Sequence, residues 1–180
     1  MKVKFKRLLT VGLAVMLIFG CMSVPVFAKT RKIKPDSRSY SSSVKKVEKR
    51  AARIKKGAQR IVVPSSGRAY LKFVAPKNGD YIFEVSDVKK KKGSNSARGM
   101  LSFMKTQKDN YKYLRYITVG AYGGKNVSLN FGTPEQKYGV SKSAWYLEHR
   151  SGRTHLVNGE VVYLYIETNA RSFNLKIKSK

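Results

Sequence analysis

The chain has 180 residues, with 38 Lys and Arg against 10 Asp and Glu, a formal net charge of +28, two His and one Cys. A lone cysteine forms no intramolecular disulfide and, with two histidines, builds no Cys/His cluster, so a disulfide scaffold and a structural zinc site are both excluded. Hydrophobic residues make up 42% of the chain and aromatics 11%, too much for a disordered polycation, which implies a packed core under a basic surface.

Residues 1–28 read as a secretory signal peptide. Lys2, Lys4, Lys6 and Arg7 precede an apolar run from Leu8 to Gly20 that only Thr10 interrupts, the charge-then-apolar order of an export signal. Val26 and Ala28 place short apolar residues at −3 and −1 of a cut between Ala28 and Lys29, and Pro25 ends the apolar helix just upstream. Two other outcomes stay open. Ile18-Phe19-Gly20-Cys21 resembles a lipobox with Cys21 as the acylated residue, although bulky Phe19 stands where that motif takes a small one. Residues 8–28 are also just long enough to remain in a bilayer as an uncleaved anchor. Each route exports the remainder, so the expected location is secreted or cell-envelope associated. Cleavage removes four cations and leaves a cysteine-free chain with 34 Lys and Arg against 10 acids, a net charge of +24.

Residues 29–57 form the next unit. The stretch from Lys29 to Ser43 has one aliphatic residue among five cations and five serines, too little apolar surface to offset the entropy of ordering, and is expected to be a flexible basic arm. Val44, Val47, Ala51 and Ile54 then follow helical spacing, with Ser43 as an N-cap candidate and Gly57 beyond the end. The competing reading makes residues 52–54 a short strand.

From residue 58 to 180 the apolar period is two. Leu71, Phe73 and Ala75 alternate with Tyr70, Lys72 and Val74, and Tyr81, Phe83 and Val85 with Ile82, Glu84 and Ser86. Pro76-Lys77-Asn78-Gly79-Asp80 between them has the chemistry of a tight hairpin. Further strands are expected at residues 99–105, 113–119, 126–131, 144–149, 161–167 and 172–178. Val127, Leu129 and Phe131 share one face, as do Phe173, Leu175 and Ile177. Turn signals at Lys92-Gly93, Gly123-Gly124, Ser151-Gly152 and Asn158-Gly159 recur about every ten residues. Eight or nine short strands without intervening helices predict an all-β domain, an antiparallel sandwich or jelly roll.

Three stretches carry a family resemblance: Ala52 to Gly57, the Gly67-Arg-Ala-Tyr-Leu-Lys-Phe73-Val-Ala-Pro76-Lys-Asn-Gly79-Asp-Tyr81-Ile-Phe83 segment, and Asn158-Gly159-Glu-Val-Val-Tyr163-Leu-Tyr165-Ile. Together they resemble the bacterial pre-peptidase C-terminal (PPC) domain and similar jelly-roll modules of secreted proteins. The resemblance implies a jelly roll and a non-catalytic role in export, folding or attachment to insoluble material. It rests on turn formers and core aromatics and implies no catalytic residue.

Enzymatic chemistry has little to build on. Glu148, His149 and His155 flank an expected turn at Arg150-Ser151-Gly152-Arg153, but the sequence has no nucleophile elbow, zinc-protease motif or phosphate loop, and no cofactor is expected. Asp80, Glu84 and Asp87 offer too few oxygens for calcium. The basic residues are the informative feature. Lys45, Lys46, Lys49, Arg50, Lys55 and Lys56 precede the strands, and Lys89, Lys90, Lys91 and Lys92 are expected to project from a mobile loop. The arm adds Arg31, Lys32, Lys34 and Arg38. Such a surplus exceeds what solubility requires and predicts binding to anionic polymers, namely teichoic acid, acidic polysaccharide, anionic lipid surfaces or extracellular nucleic acid. No specific protein partner is inferable. The alternatives are a carbohydrate-binding module stacking sugars on Trp145 and Tyr146, with Tyr111-Lys112-Tyr113-Leu114-Arg115-Tyr116 as a second aromatic stretch, or an inhibitor or accessory subunit of a secreted enzyme.

Overall fold

The computed structural model of the protein describes residues 30–121, 124–133 and 150–180. The signal segment with Cys21, Ala28 and Lys29, and the stretch with Trp145, Tyr146, Glu148 and His149, lie outside the described residues. In chain order the elements are β1 (Arg31–Ile33), α1 (Val44–Glu48), β2 (Ala52–Ile54), β3 (Gly57–Val62), β4 (Arg68–Val74), β5 (Gly79–Lys89), β6 (Arg98–Thr106), β7 (Leu114–Tyr116), β8 (Val119–Ala121), β9 (Gly124–Asn126), β10 (Ser128–Gly132), β11 (Arg150–Leu156), β12 (Val161–Thr168) and β13 (Ser172–Ser179). A seven-stranded sheet runs β1-β3-β13-β5-β11-β8-β9, and a six-stranded sheet runs β10-β6-β12-β4-β2 with β7 also paired to β6.

The protein is an all-β sandwich. Leu71, Phe73, Leu101, Phe103, Leu164 and Ile166 of one sheet share a single core with Ile61, Phe83, Val85, Phe173, Leu175 and Ile177 of the other, each at most 1% exposed. Period-2 alternation explains this packing, because every second side chain of a strand faces the opposing sheet.

Several local expectations need correction. The sheets are mixed, since β1 runs parallel to β3 and β2 parallel to β4. The segment expected to be a flexible arm is tied down: Ile33 is buried at 7% exposure in the main core, and the Arg38 N–H donates to the Arg68 carbonyl at 2.9 Å. The sandwich therefore starts at Arg31, well before residue 58. The helix stops at Glu48, and residues 52–54 adopt the competing strand reading, which puts Ile54 beside Phe73 in register and buries it at 2% exposure.

The largest difference concerns the turns. Residues 76–80 do not close a hairpin, because β4 and β5 belong to different sheets. The Asn-Gly signal is used instead for an arch that carries the chain across the core, with Gly79 at φ 151°. Gly93 (φ 81°) and Gly159 (φ 76°) sit in two further sheet-to-sheet crossings, β5 to β6 and β11 to β12. Ser151-Gly152 is no turn at all. It lies inside β11, where Gly152 faces inward and an added Cβ would stand 2.9 Å from Leu129 Cδ2. The stretch 113–119 divides into β7 and β8 on different sheets, and Val127, between β9 and β10, is 44% exposed because it sits at a crossing.

Candidate polyanion-binding surfaces

The outer face of the six-stranded sheet would be greasy if left bare: Tyr70, Met104, Leu114, Tyr163 and Tyr165 form a second apolar cluster there. The segment from Arg38 to Ala51 covers it. Val47 plugs into the cluster at 2% exposure, with Val44 and Ala51 beside it. Tyr70 fastens the strap, accepting from the Ser41 N–H at 2.7 Å and donating to the Ser41 carbonyl at 3.1 Å. Glu48 anchors the helix by accepting from Lys72 Nζ and the Tyr163 hydroxyl. The Val44 N–H donates to the Lys112 carbonyl and the Leu114 N–H to the Ser42 carbonyl, which joins the strap to β7.

With Val47 buried and the Glu48 carboxylate held by Lys72 and Tyr163, the charge that the strap leaves unpaired on its outer side is positive. Lys45, Lys46, Lys49 and Arg50 are exposed, and with Arg38 they surround a cleft of about 680 Å³ that also contains Ser39, Ser41 and Tyr70 but no acidic side chain. The Arg38 Nε is buried and meets no acceptor among the described residues. Tyr40, which also lines this cleft, stacks on Tyr116 with centroids 6.2 Å apart and meets Tyr165 edge-on at 5.6 Å. Burial pushes the Tyr70 hydroxyl up to about 12 and raises those of Tyr116 and Tyr165 as well, so all three stay neutral donors at ordinary pH.

A second basic region occupies the outer face of the seven-stranded sheet. Lys32 of β1, Arg60 of β3 and Asn174 of β13 stand in register, each one position from a core residue. A cleft of about 800 Å³ gathers Lys32, Arg60, Lys89, Lys90 and Arg171 around one acid, Asp87. Asp87 has φ 49° at the point where the pairing of β5 with β13 slips, an extra residue that twists the strand. Arg60 holds the irregularity in place, donating to the Asp87 carboxylate, to Asn174 Oδ1 at 3.1 Å and to Ser172 Oγ at 2.8 Å. A hydrogen bond from Lys89, assisted by Arg60 and opposed by partial burial, keeps the Asp87 carboxyl below the usual carboxylate range.

The residues singled out in the sequence therefore separate. Lys45, Lys46, Lys49 and Arg50 converge on the first cleft, and Lys89 and Lys90 on the second. Lys55 and Lys56 line neither, and Lys56 Nζ donates instead to Ser179 Oγ at 2.8 Å. The Lys89–Lys92 run is not a free tip, because Lys89 pairs with Asp87 at 2.6 Å and Lys91 reaches the Ser65 carbonyl at 3.3 Å. Lys32, Arg38, Arg60 and Arg171 complete the clefts: pairing of β1, β3 and β13 gathers Lys32, Arg60 and Arg171, and the bond from the Arg38 N–H to the Arg68 carbonyl places Arg38.

No protein-family model matches the chain, and neither does any curated protein sequence. Among solved structures the chain is similar to CorA, a surface-associated copper-binding protein important in Methylomicrobium album BG8 copper acquisition, at 4% identity over 72% of this chain and 98% of that one, with a TM-score of 0.39. That degree of likeness carries no inference about ligand or activity. Among the described residues no three His, Cys, Asp or Glu side chains are grouped to hold a metal. The acids of β5 each meet separate partners: Asp80 meets Arg153 at 3.9 Å and the His155 ring at 2.9 Å, Glu84 meets Lys178 at 2.7 Å, and Asp87 meets Arg60 and Lys89.

Proposed function

We propose that this is an exported, non-catalytic β-sandwich, akin to the PPC-like modules, that attaches to anionic polymers of the cell envelope or matrix. The observation that carries the reading is the cleft under Lys45, Lys46, Lys49, Arg50 and Arg38, in which five cations meet no acid. Six acids, Glu48, Asp80, Glu84, Asp87, Glu160 and Glu167, are already engaged by lysines or arginines of the protein itself, which leaves the remaining positive charge for an external partner. Lysine heads bind phosphate or carboxylate as point charges, and binding is driven by release of the polymer's counterions.

Titration of the protein against poly(glycerol phosphate), a polyuronate, DNA and a neutral glycan at two salt concentrations tests this. If about six anionic groups are engaged, affinity falls by roughly 10³ between about 50 and 200 mM salt. Changing Lys45, Lys46, Lys49 and Arg50 to serine lowers the logarithmic salt slope by up to about four. A carbohydrate reading is favoured by the exposed rings of Tyr40, Tyr111, Tyr113 and Tyr116. It requires salt-insensitive binding to the neutral glycan that Tyr40→Ala abolishes, and that result would sink the electrostatic proposal.

A further inference from the structure

The two cationic clefts lie on opposite outer faces of the sandwich. The first sits over Tyr70, whose strand neighbours Ala69 and Leu71 point into the core from the six-stranded sheet. The second sits over Lys32 and Arg60, whose neighbours Ile33 and Ile61 point into the same core from the seven-stranded sheet. The whole thickness of both sheets separates them, about 10 Å between backbones plus a layer of side chains on each side. No residue lines both clefts.

Each cleft is also held by its own fixings. The first depends on Tyr70 with Ser41 and on Glu48 with Lys72 and Tyr163. The second depends on Arg60 with Asp87, Ser172 and Asn174. A cluster of cations on one face is enough to hold a protein on a polymer. A second independent cluster on the opposite face makes a different act available. A polymer segment seated in one cleft leaves the other facing away from it, open to a second segment and still unneutralised.

We propose that one molecule of this protein bridges two segments of anionic polymer, one on each outer face of the sandwich. The proposal rests on the polyanion-binding reading and adds to it a cross-linking activity, in which the bound protein gathers polymer chains together. Long-chain inorganic polyphosphate is a suitable probe, since it supplies the shared chemistry, a linear run of negative oxygens, without sugar or base.

The experiment is a two-step capture. Polyphosphate is immobilised, the protein is bound and excess washed away, and fluorescent polyphosphate is added in solution. Binding to the first polymer and capture of the second are read separately. Three charge-matched variants are compared with the wild type. The first carries Lys45→Ser, Lys49→Ser and Arg50→Ser; the second carries Lys32→Ser, Lys90→Ser and Arg171→Ser. The control carries Lys77→Ser, Lys108→Ser and Lys180→Ser, exposed cations that line neither cleft. Unchanged thermal melting of each variant establishes folding.

Each cleft variant is expected to remain on the first polymer while capturing about tenfold less of the second, whereas the control captures as the wild type does. Wild-type protein that binds the first polymer and captures no second one overturns bridging and leaves the polyanion reading standing. A control as deficient as the cleft variants, or a cleft variant that captures normally, also overturns bridging, because unspecific charge or self-association then does the linking. Failure of the wild type to bind polyphosphate, poly(glycerol phosphate) or polyuronate at low salt removes both proposals.

Discussion

Phe73 and Phe83 meet edge to face, with ring centroids 5.7 Å apart and planes at 88°, from opposite sheets of the sandwich. Tyr81 adds a second edge contact to Phe73 at 5.2 Å, and Phe103 meets Phe83 at 5.1 Å. The arch at residues 76–80 thus delivers a cross-core aromatic cluster, where a hairpin would have set these rings side by side on one sheet.

Phe83→Ala is expected to destabilise the protein by about 3–5 kcal/mol, because the cavity opens between two packed sheets. In a double-mutant cycle Phe73 and Phe83 should couple by about 0.5–1.5 kcal/mol beyond area burial. Urea unfolding of the two single variants and the double variant measures this; additivity would show that the rings do not touch.

Two left-handed glycines should behave differently when replaced by alanine. Gly67 has φ 74°, and a Cβ there would stand 2.2 Å from the Thr168 carbonyl oxygen, whereas Gly159 has φ 76° and open space around it. Gly159→Ala pays only for backbone strain, about 1–2 kcal/mol, while Gly67→Ala must also push the strand end at Thr168 aside and should lose roughly 3 kcal/mol or more. Equal losses in chemical denaturation would contradict the close approach.

Tyr70 predicts an alkaline limb. Its hydroxyl is raised to about 12 mainly by burial, with the Ser41 hydrogen bond opposing, against about 10 in an unfolded chain. The folded state therefore holds a proton that the unfolded state releases, so stability is complete below about pH 10 and falls as pH rises toward about 12. Tyr70→Phe leaves the Ser41 N–H and carbonyl without this partner, so it should be less stable at about pH 8 by roughly 1–2 kcal/mol yet lose less between about pH 10 and 12. Parallel alkaline profiles in urea titrations would refute the assignment.

Asp87 predicts the acid limb. Its carboxyl is lowered by Lys89 first and Arg60 next, and Glu160 is lowered because Lys105 and the Val157 N–H outweigh its burial. Depressed carboxylates contribute stability above their unfolded value near 4, and that contribution disappears as pH falls through the lowered value. Asp87→Asn keeps a residue type that tolerates positive φ and removes the charge. It should lower stability by about 0.5–1 kcal/mol near pH 7, with the gap to wild type closing as pH falls through the lowered carboxyl value. A gap that persists in acid would assign the effect to backbone strain instead of charge.

Alternation at Leu71-Phe73-Ala75, Tyr81-Phe83-Val85 and Phe173-Leu175-Ile177 was enough to read a two-layered β fold and most of its core, because a period of two commits one face of a strand to burial wherever the strand is placed. Composition likewise was enough for the basic surface and for the cations of α1. What residues 76–80, 93 and 159 connect was beyond it. Turn chemistry specifies local φ and ψ, and a glycine at positive φ serves a hairpin and a cross-core arch equally well. The same limit hid β1, since a single Ile33 among lysines holds a strand only because β3 lies ready to receive it. It also hid the second cleft, in which Lys32, Arg60 and Arg171, distant in sequence, become neighbours through the pairing of β1, β3 and β13. The sequence by itself determined the layers, the buried residues and the sign of the surface, because these follow from local period and charge; the tertiary structure alone decided which strands cross the core and where the cations converge, because both depend on long-range pairing whose partners leave no local mark.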